Sequence, residues 1–138
     1  MRLRKNAKLE LLRRVPLFRE LSTRDLEAVA KIADELDFKE GKSLTTEGAA
    51  GREFFVIVEG TAEVTRGRRK LRTLSDGDFF GEISLITRLP RTATVTTASP
   101  VRALVVTDRS FRSLLEHQPG IQSKVLSALG ERLDAVEP

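Results

Sequence analysis

The 138-residue sequence predicts one mainly β domain, a small barrel or sandwich with helical segments at both ends. Three observations predict it. Apolar residues recur at helical spacing before about position 36 and again after 107. Between these segments they fall into short runs and alternations, separated every 8 to 12 residues or so by Gly-containing turns. Finally, 40% of residues are hydrophobic and 32% charged, which is enough apolar matter for a packed core and argues against general disorder.

The elements follow in order. Leu9, Leu12 and Val15 recur every three residues, and Pro16 closes that segment. Ser22 followed by Asp25 is a capping pattern for a second helix, whose apolar stripe is Leu26, Val29, Ile32, Ala33 and Leu36 and whose end is expected near Glu35. Glu53–Val58 reads as a strand of strongly β-favouring residues, and Glu59-Gly60 turns it into an alternating strand over Thr61–Thr65. Arg66-Gly67 turns the chain again into 68–74, with Leu71 and Leu74 as expected anchors, and Ser75–Asp78 is a turn cluster. Arg91–Thr97 and Val101–Thr107 are two further strands, entered through Pro90 and Pro100.

Asp108 is the expected N-cap of the next helix, with Phe111, Leu114 and Leu115 facing inward, and Pro119-Gly120 interrupts the run. Ile121, Val125, Leu129 and Leu133 then recur every four residues, Leu126 and Val136 widen the stripe, and Gly130 is the expected place for a bend. The expected organisation is thus a single domain over 1–138. Helices occupy 1–35, the barrel 36–107 and C-terminal helices 108–138, with no internal repeat.

Composition narrows the chemistry. With one histidine, His117, and no cysteine, one chain cannot assemble a zinc, iron or copper site from imidazole and thiolate ligands. Thiol catalysis is impossible, and no G-x-S-x-G elbow accompanies His117, so no catalytic residue is assigned and an enzyme is not expected. No apolar run reaches the roughly 18 residues that span a bilayer, and the Met-Arg-Leu-Arg-Lys start lacks the apolar core of a signal peptide. The expected location is the cytoplasm. Residues 1–24 carry eight Lys/Arg against two Glu, so the basic excess of the chain sits in its N-terminal segment.

The stretch from Gly77 to Val95 carries the functional signal. A strand ends at Phe80, Gly81 permits a tight turn, one helical turn is expected from Glu82 to about Thr87, and Pro90 returns the chain to a strand. A helix start after a glycine presents unpaired N–H groups to an anion. Arg91, nine residues after Glu82, would face that start and could pair two phosphate oxygens. Alone, Glu82 is a first-turn carboxylate favoured by the helix dipole and Arg91 a strand residue. Together they form a site for an anion bearing hydroxyls.

This stretch resembles the phosphate-binding cassette of cyclic nucleotide-binding domains, found in catabolite-activator-type regulators, cyclic-nucleotide-dependent kinases and gated channels. Phe80-Gly81-Glu82-Ile83-Ser84-Leu85-Ile86 and Pro90-Arg91-Thr92-Ala93-Thr94-Val95 match the family pattern, including the Glu-to-Arg spacing. Leu17-Phe18, Leu21-Ser22 and the Gly41, Gly48 and Glu59-Gly60 turns fit the same layout. The resemblance implies an eight-stranded antiparallel jelly-roll β-barrel with N-terminal helices, a short cassette helix within 80–95 and C-terminal lid helices. It implies that Glu82 binds the ribose 2′-hydroxyl and that Gly81 admits the ribose. The amides of Ile83 and Ser84 would face the cyclic phosphate, Arg91 would pair its exocyclic oxygens, and Thr92 would add a hydroxyl. Arg132 or Leu133 would cover the base, and Val64 and Val95 would line the barrel.

The ligand implied is a cyclic nucleotide rather than a bound cofactor or metal. A threonine at the Thr92 position accompanies cyclic GMP in animal kinases of the family, whereas bacterial members use Ser or Thr there with cyclic AMP. The Arg-rich single module looks bacterial, which favours cyclic AMP and leaves cyclic GMP open. No helix-turn-helix follows the last helix, so an effector domain or partner protein is expected outside this sequence, and a homodimer is compatible with it. The helices over 1–16 and 121–136 are the expected moving parts, with Pro119-Gly120 and Gly130 as hinges. The alternative is a nucleic-acid or protein adaptor that uses the basic N-terminal segment and keeps only a vestigial pocket.

Overall fold

The computed structural model of the chain describes residues 3–85 and 90–136, apart from the side chains of residues 83, 84, 129 and 131–136. Helix α1 spans Lys5–Arg13, and a short 3-10 helix, Pro16–Phe18, follows behind Pro16. Helix α2, Thr23–Lys31, begins with the expected capping box. Ser22 Oγ accepts from the Asp25 amide at 3.1 Å, and the Asp25 carboxylate accepts from the Ser22 amide at 3.3 Å. It ends four residues before Glu35, where Lys8 Nζ donates to the Ala33 carbonyl at 2.6 Å. Strand β1, Asp34–Phe38, starts immediately after.

Leu36 is therefore not the end of a helical stripe. It lies in β1, is 44% exposed, and pairs with Ala103. The reason is tertiary: the polar run Asp-Glu-Leu-Asp-Phe becomes a strand because β8, Val101–Thr107, offers it a ladder and Arg102 bridges to Asp37 at 3.0 Å.

The remaining strands are β2 (Ser43–Thr45), β3 (Glu53–Glu59), β4 (Ala62–Arg66), β5 (Arg69–Leu74), β6 (Phe79–Phe80) and β7 (Thr94–Thr97). With β1 and β8 they make eight strands, all paired antiparallel, in two four-stranded sheets ordered β1-β8-β3-β6 and β2-β7-β4-β5. The mainly β architecture with flanking helices is as expected. Barrel closure is not: among the described residues no strand of one sheet pairs with a strand of the other, so the sheets face each other as a sandwich. β5 lies at a sheet edge, and a bulge between Val64 and Thr65 skips its Leu71 in the pairing. Leu71 is accordingly 41% exposed while Leu74 is buried; three residues apart on a strand, the two could not share a face.

Strand β3 sits between two cores because its side chains alternate. Phe54 and Val56 join a cluster with Leu12, Phe18, Leu26, Leu104 and Phe111, between one sheet and the helices. Phe55 and Ile57 join a second cluster with Phe80, Val64, Val95 and Val105, between the two sheets. Val64 and Val95 thus lie inside, as expected.

Helix α3, Asp108–His117, is capped by Thr107 rather than Asp108. Thr107 has extended backbone and its Oγ1 accepts from the Ser110 amide at 3.2 Å, which leaves Asp108 in the first turn. Helix α4, Pro119–Val136, starts one residue after Gln118, so the expected break before Pro119-Gly120 is present, but the helix continues through Gly130. Ile121 and Val125 are buried, whereas Leu126 is 51% exposed and does not widen the buried stripe. Leu133 and Val136 lie in α4 with side chains outside the described residues.

Candidate functional site

The cassette is built off the end of β6. Phe80 pairs with Phe55 across the sheet and their rings stack at 4.8 Å, which fixes the point from which the chain must turn. Gly81 makes the turn at φ +83°, a conformation L side chains rarely adopt. A 3-10 helix, Glu82–Leu85, follows directly. It is shorter than the expected turn to Thr87; residues 86–89, with Arg88 and Leu89, lie outside the described residues. Leu85 is fully buried in the cluster shared with the helices, so the cassette helix is packed into the helical bundle. Its first residue, Glu82, is 5% exposed, unusual for a carboxylate.

Arg91 returns opposite Gly81. Its main chain is held by the loop between β2 and β3: its amide donates to the Ala49 carbonyl at 2.8 Å, and its carbonyl accepts from the Gly48 amide at 2.9 Å. The half-buried guanidinium donates through Nη2 to the Glu53 carbonyl at 2.7 Å. Burial pushes the Arg91 pKa down from its usual value, and the nearby Glu53 carboxylate opposes that shift. The group still carries its charge at neutral pH.

Gly81 and Arg91 are in intimate contact. A Cβ at position 81 would fall 2.6 Å from Arg91 Nη1 and 2.8 Å from the Glu53 carbonyl. The space the glycine leaves is taken by the arginine.

The structure therefore brings Gly81, Glu82 and Arg91 to one place at the mouth of β6. It sets the backbone of Ile83 and Ser84 in the 3-10 helix beside them; their side chains lie outside the described residues. Thr92 is exposed, and its carbonyl accepts from Arg66 Nε at 3.0 Å. Arg132 and Leu133, the expected base lid, belong to α4, but their side chains lie outside the described residues. What sequence reasoning missed is the seat of the guanidinium, the Glu53 carbonyl and the Gly48–Ala49 backbone. Main-chain carbonyls exist at every position, so no residue type could have signalled them.

Comparison with known proteins shows what the chain is similar to. Residues 35–118 match the family described as "Cyclic nucleotide-binding domain". The chain is 40% identical over 119 residues to a cAMP-dependent protein kinase regulatory subunit of Mycosarcoma maydis, covering 78% of this chain and 22% of that protein. It is 31% identical over 129 residues to a CRP-like cAMP-activated global transcriptional regulator of Mycobacterium tuberculosis, covering 90% of this chain and 58% of that one. The chain thus spans from about a fifth to somewhat over half the length of these relatives. Among solved structures, the N-terminal domain of a transcriptional regulator from Streptomyces coelicolor A3(2) superposes with a TM-score of 0.83 at 28% identity, covering 91% of this chain and 90% of that one. The chain belongs to the cyclic nucleotide-binding domain family.

Proposed function

We propose that this chain binds cyclic AMP and passes its occupancy to an effector through the flanking helices. The observation that carries the reading is the seating of Arg91 against Gly81 by the Glu53 carbonyl, at the start of the cassette helix. A guanidinium fixed there can meet two exocyclic oxygens of a cyclic phosphate as a bidentate pair. The amides of Ile83 and Ser84, in the first turn of the 3-10 helix, add neutral donors to the same anion. Glu82 accepts from the ribose 2′-hydroxyl, and Thr92 contributes a hydroxyl at the rim. This division of labour suits the ligand: the single phosphate charge is answered by arginine, and the sugar by a carboxylate that needs no proton.

Cyclic AMP is preferred to cyclic GMP because both relatives described above carry cAMP in their names. Arg132 or Leu133 of α4 closes over the base. The module acts as a regulator and carries out no reaction of its own. Its effector is another domain or a partner protein, and two copies pairing is compatible with the exposed Leu126 on α4. Among the described residues no helix is long and apolar enough to cross a membrane.

The test is a thermal-shift and calorimetric comparison of cyclic AMP, cyclic GMP and 5′-AMP. At 100 times its dissociation constant the true ligand adds about 2.7 kcal/mol of stability. Stabilisation by cyclic AMP above the other two is the expected result. Equal stabilisation by 5′-AMP, or none by either cyclic nucleotide, overturns the assignment.

A further inference from the structure

A cavity of about 610 Å³ opens between the β2–β3 loop and helix α3. Five of its eight lining residues are charged: Arg52 from the loop, and Asp108, Arg109, Arg112 and Glu116 from the helix. Arg109, Arg112, Ser113 and Glu116 are spaced at three, four and seven residues, so they form one stripe along a helix face. The loop is tied to the start of that helix by the Asp108 amide, which donates to the Arg52 carbonyl at 2.8 Å. Arg52 and Arg109 therefore stand at the same end of the groove.

The charges are ordered along its length. Arg112 is engaged by Asp108 at 3.5 Å within the helix. Among the described residues, Arg52, Arg109 and Glu116 make no ion pair, and all three are exposed. The groove is positive at its Arg52–Arg109 end and negative at its Glu116 end. The helix dipole runs the same way, with its positive end at Asp108 and its negative end beside His117. Seven residues of helix separate Arg109 from Glu116, a rise of about 10 Å.

We infer that this groove docks a segment of a partner protein in the polyproline II conformation, bearing an acidic residue and, three residues away, a basic one. In that conformation, with three residues per turn, side chains three apart lie on one face about 9 Å from each other, so the carboxylate reaches Arg52 and Arg109 while the cation reaches Glu116. Charge complementarity selects the occupant. A lone anion would answer only one end, and an apolar peptide would leave both unanswered. The docking stands whatever the cassette binds. It is also placed to be felt there, because Ala50 lines the groove and forms a β-bridge with Pro90, next to Arg91.

The experiment is an amide-resolved NMR titration of the whole chain with three capped peptides, Glu-Ser-Ser-Lys, Glu-Ser-Ser-Glu and Lys-Ser-Ser-Lys, at millimolar concentration. The mixed-charge peptide is expected to shift the amides of Ala50–Arg52 and Arg109–Glu116 saturably and to bind more tightly than Lys-Ser-Ser-Lys. Its affinity should fall about fivefold in the double variant Arg52→Glu/Arg109→Glu, the scale of two exposed ion pairs. It should also fall in Glu116→Lys, which in turn should bind Glu-Ser-Ser-Glu better than wild type does. These exposed positions hold nothing in the core, so folding is preserved. Absence of saturable shifts at this groove, equal binding of Lys-Ser-Ser-Lys, or affinities unchanged in both variants would each sink the proposal.

Discussion

At the scale of single residues, Gly81 and Arg91 define each other. Alanine at position 81 must accept a backbone φ of +83° and a Cβ 2.6 Å from Arg91 Nη1. The strain is worth on the order of 1–3 kcal/mol, and the guanidinium must move as well. Gly81→Ala should therefore lower stability in urea unfolding and weaken cyclic nucleotide binding in calorimetry; a variant with wild-type values for both would contradict the contact. With Arg91 pairing the cyclic phosphate as proposed, Arg91→Ala is expected to lose about 2–4 kcal/mol of binding, roughly 30- to 1000-fold in affinity. Unchanged affinity in a calorimetric titration would remove Arg91 from the site. Lysine there should not restore binding, because a point charge lacks the two-pronged donor geometry. These residues were legible because glycine, glutamate and arginine at that spacing have few other reasons to coincide. The Glu53 carbonyl was not, and with it went the reason Gly81 has no side chain.

At the scale of elements, the contact between α2 and α4 is the most specific. Lys124 Nζ donates to Asp25 Oδ2 at 2.8 Å, and the same carboxylate belongs to the capping box of α2. The Lys124 hydrogen bond, with those from Ser22, holds the Asp25 pKa below its ordinary value against a smaller opposing effect of burial. A carboxylate depressed in the folded state contributes its stability above its unfolded pKa of about 3.9 and loses it as pH falls through the lower folded value. Lys124→Met should accordingly cost about 0.5 kcal/mol at pH 7, given the exposure of the pair, and the cost should shrink at high salt and vanish in acid. A loss independent of pH and salt would point to packing instead. The capping box was readable from Ser22 and Asp25; Lys124, 99 residues away, was not. The end of α2 escaped for a related reason. Leu36 continues a helical stripe by spacing, but the ladder offered by β8 decides its conformation.

For the whole molecule, Leu85 puts the cassette and the helices into one cluster with Phe18, Phe111, Ile121 and Val125. If occupancy orders the cassette, that order must be felt in α1, α3 and α4. Hydrogen exchange with and without saturating cyclic AMP should show altered amide protection in those helices; identical protection would break the link. The sequence order of helices, strands and helices was legible from the change of hydrophobic period, but closure of the barrel was not, since pairing between distant strands leaves no local trace. Strand β3 adds a last consequence. Phe54 and Val56 face one core while Phe55 and Ile57 face the other, so neighbours along the chain answer to different constraints. A substitution on the inter-sheet side repacks one core, and a substitution on the helical side repacks the other. One seven-residue strand thus divides the molecule into two cores that can change one at a time.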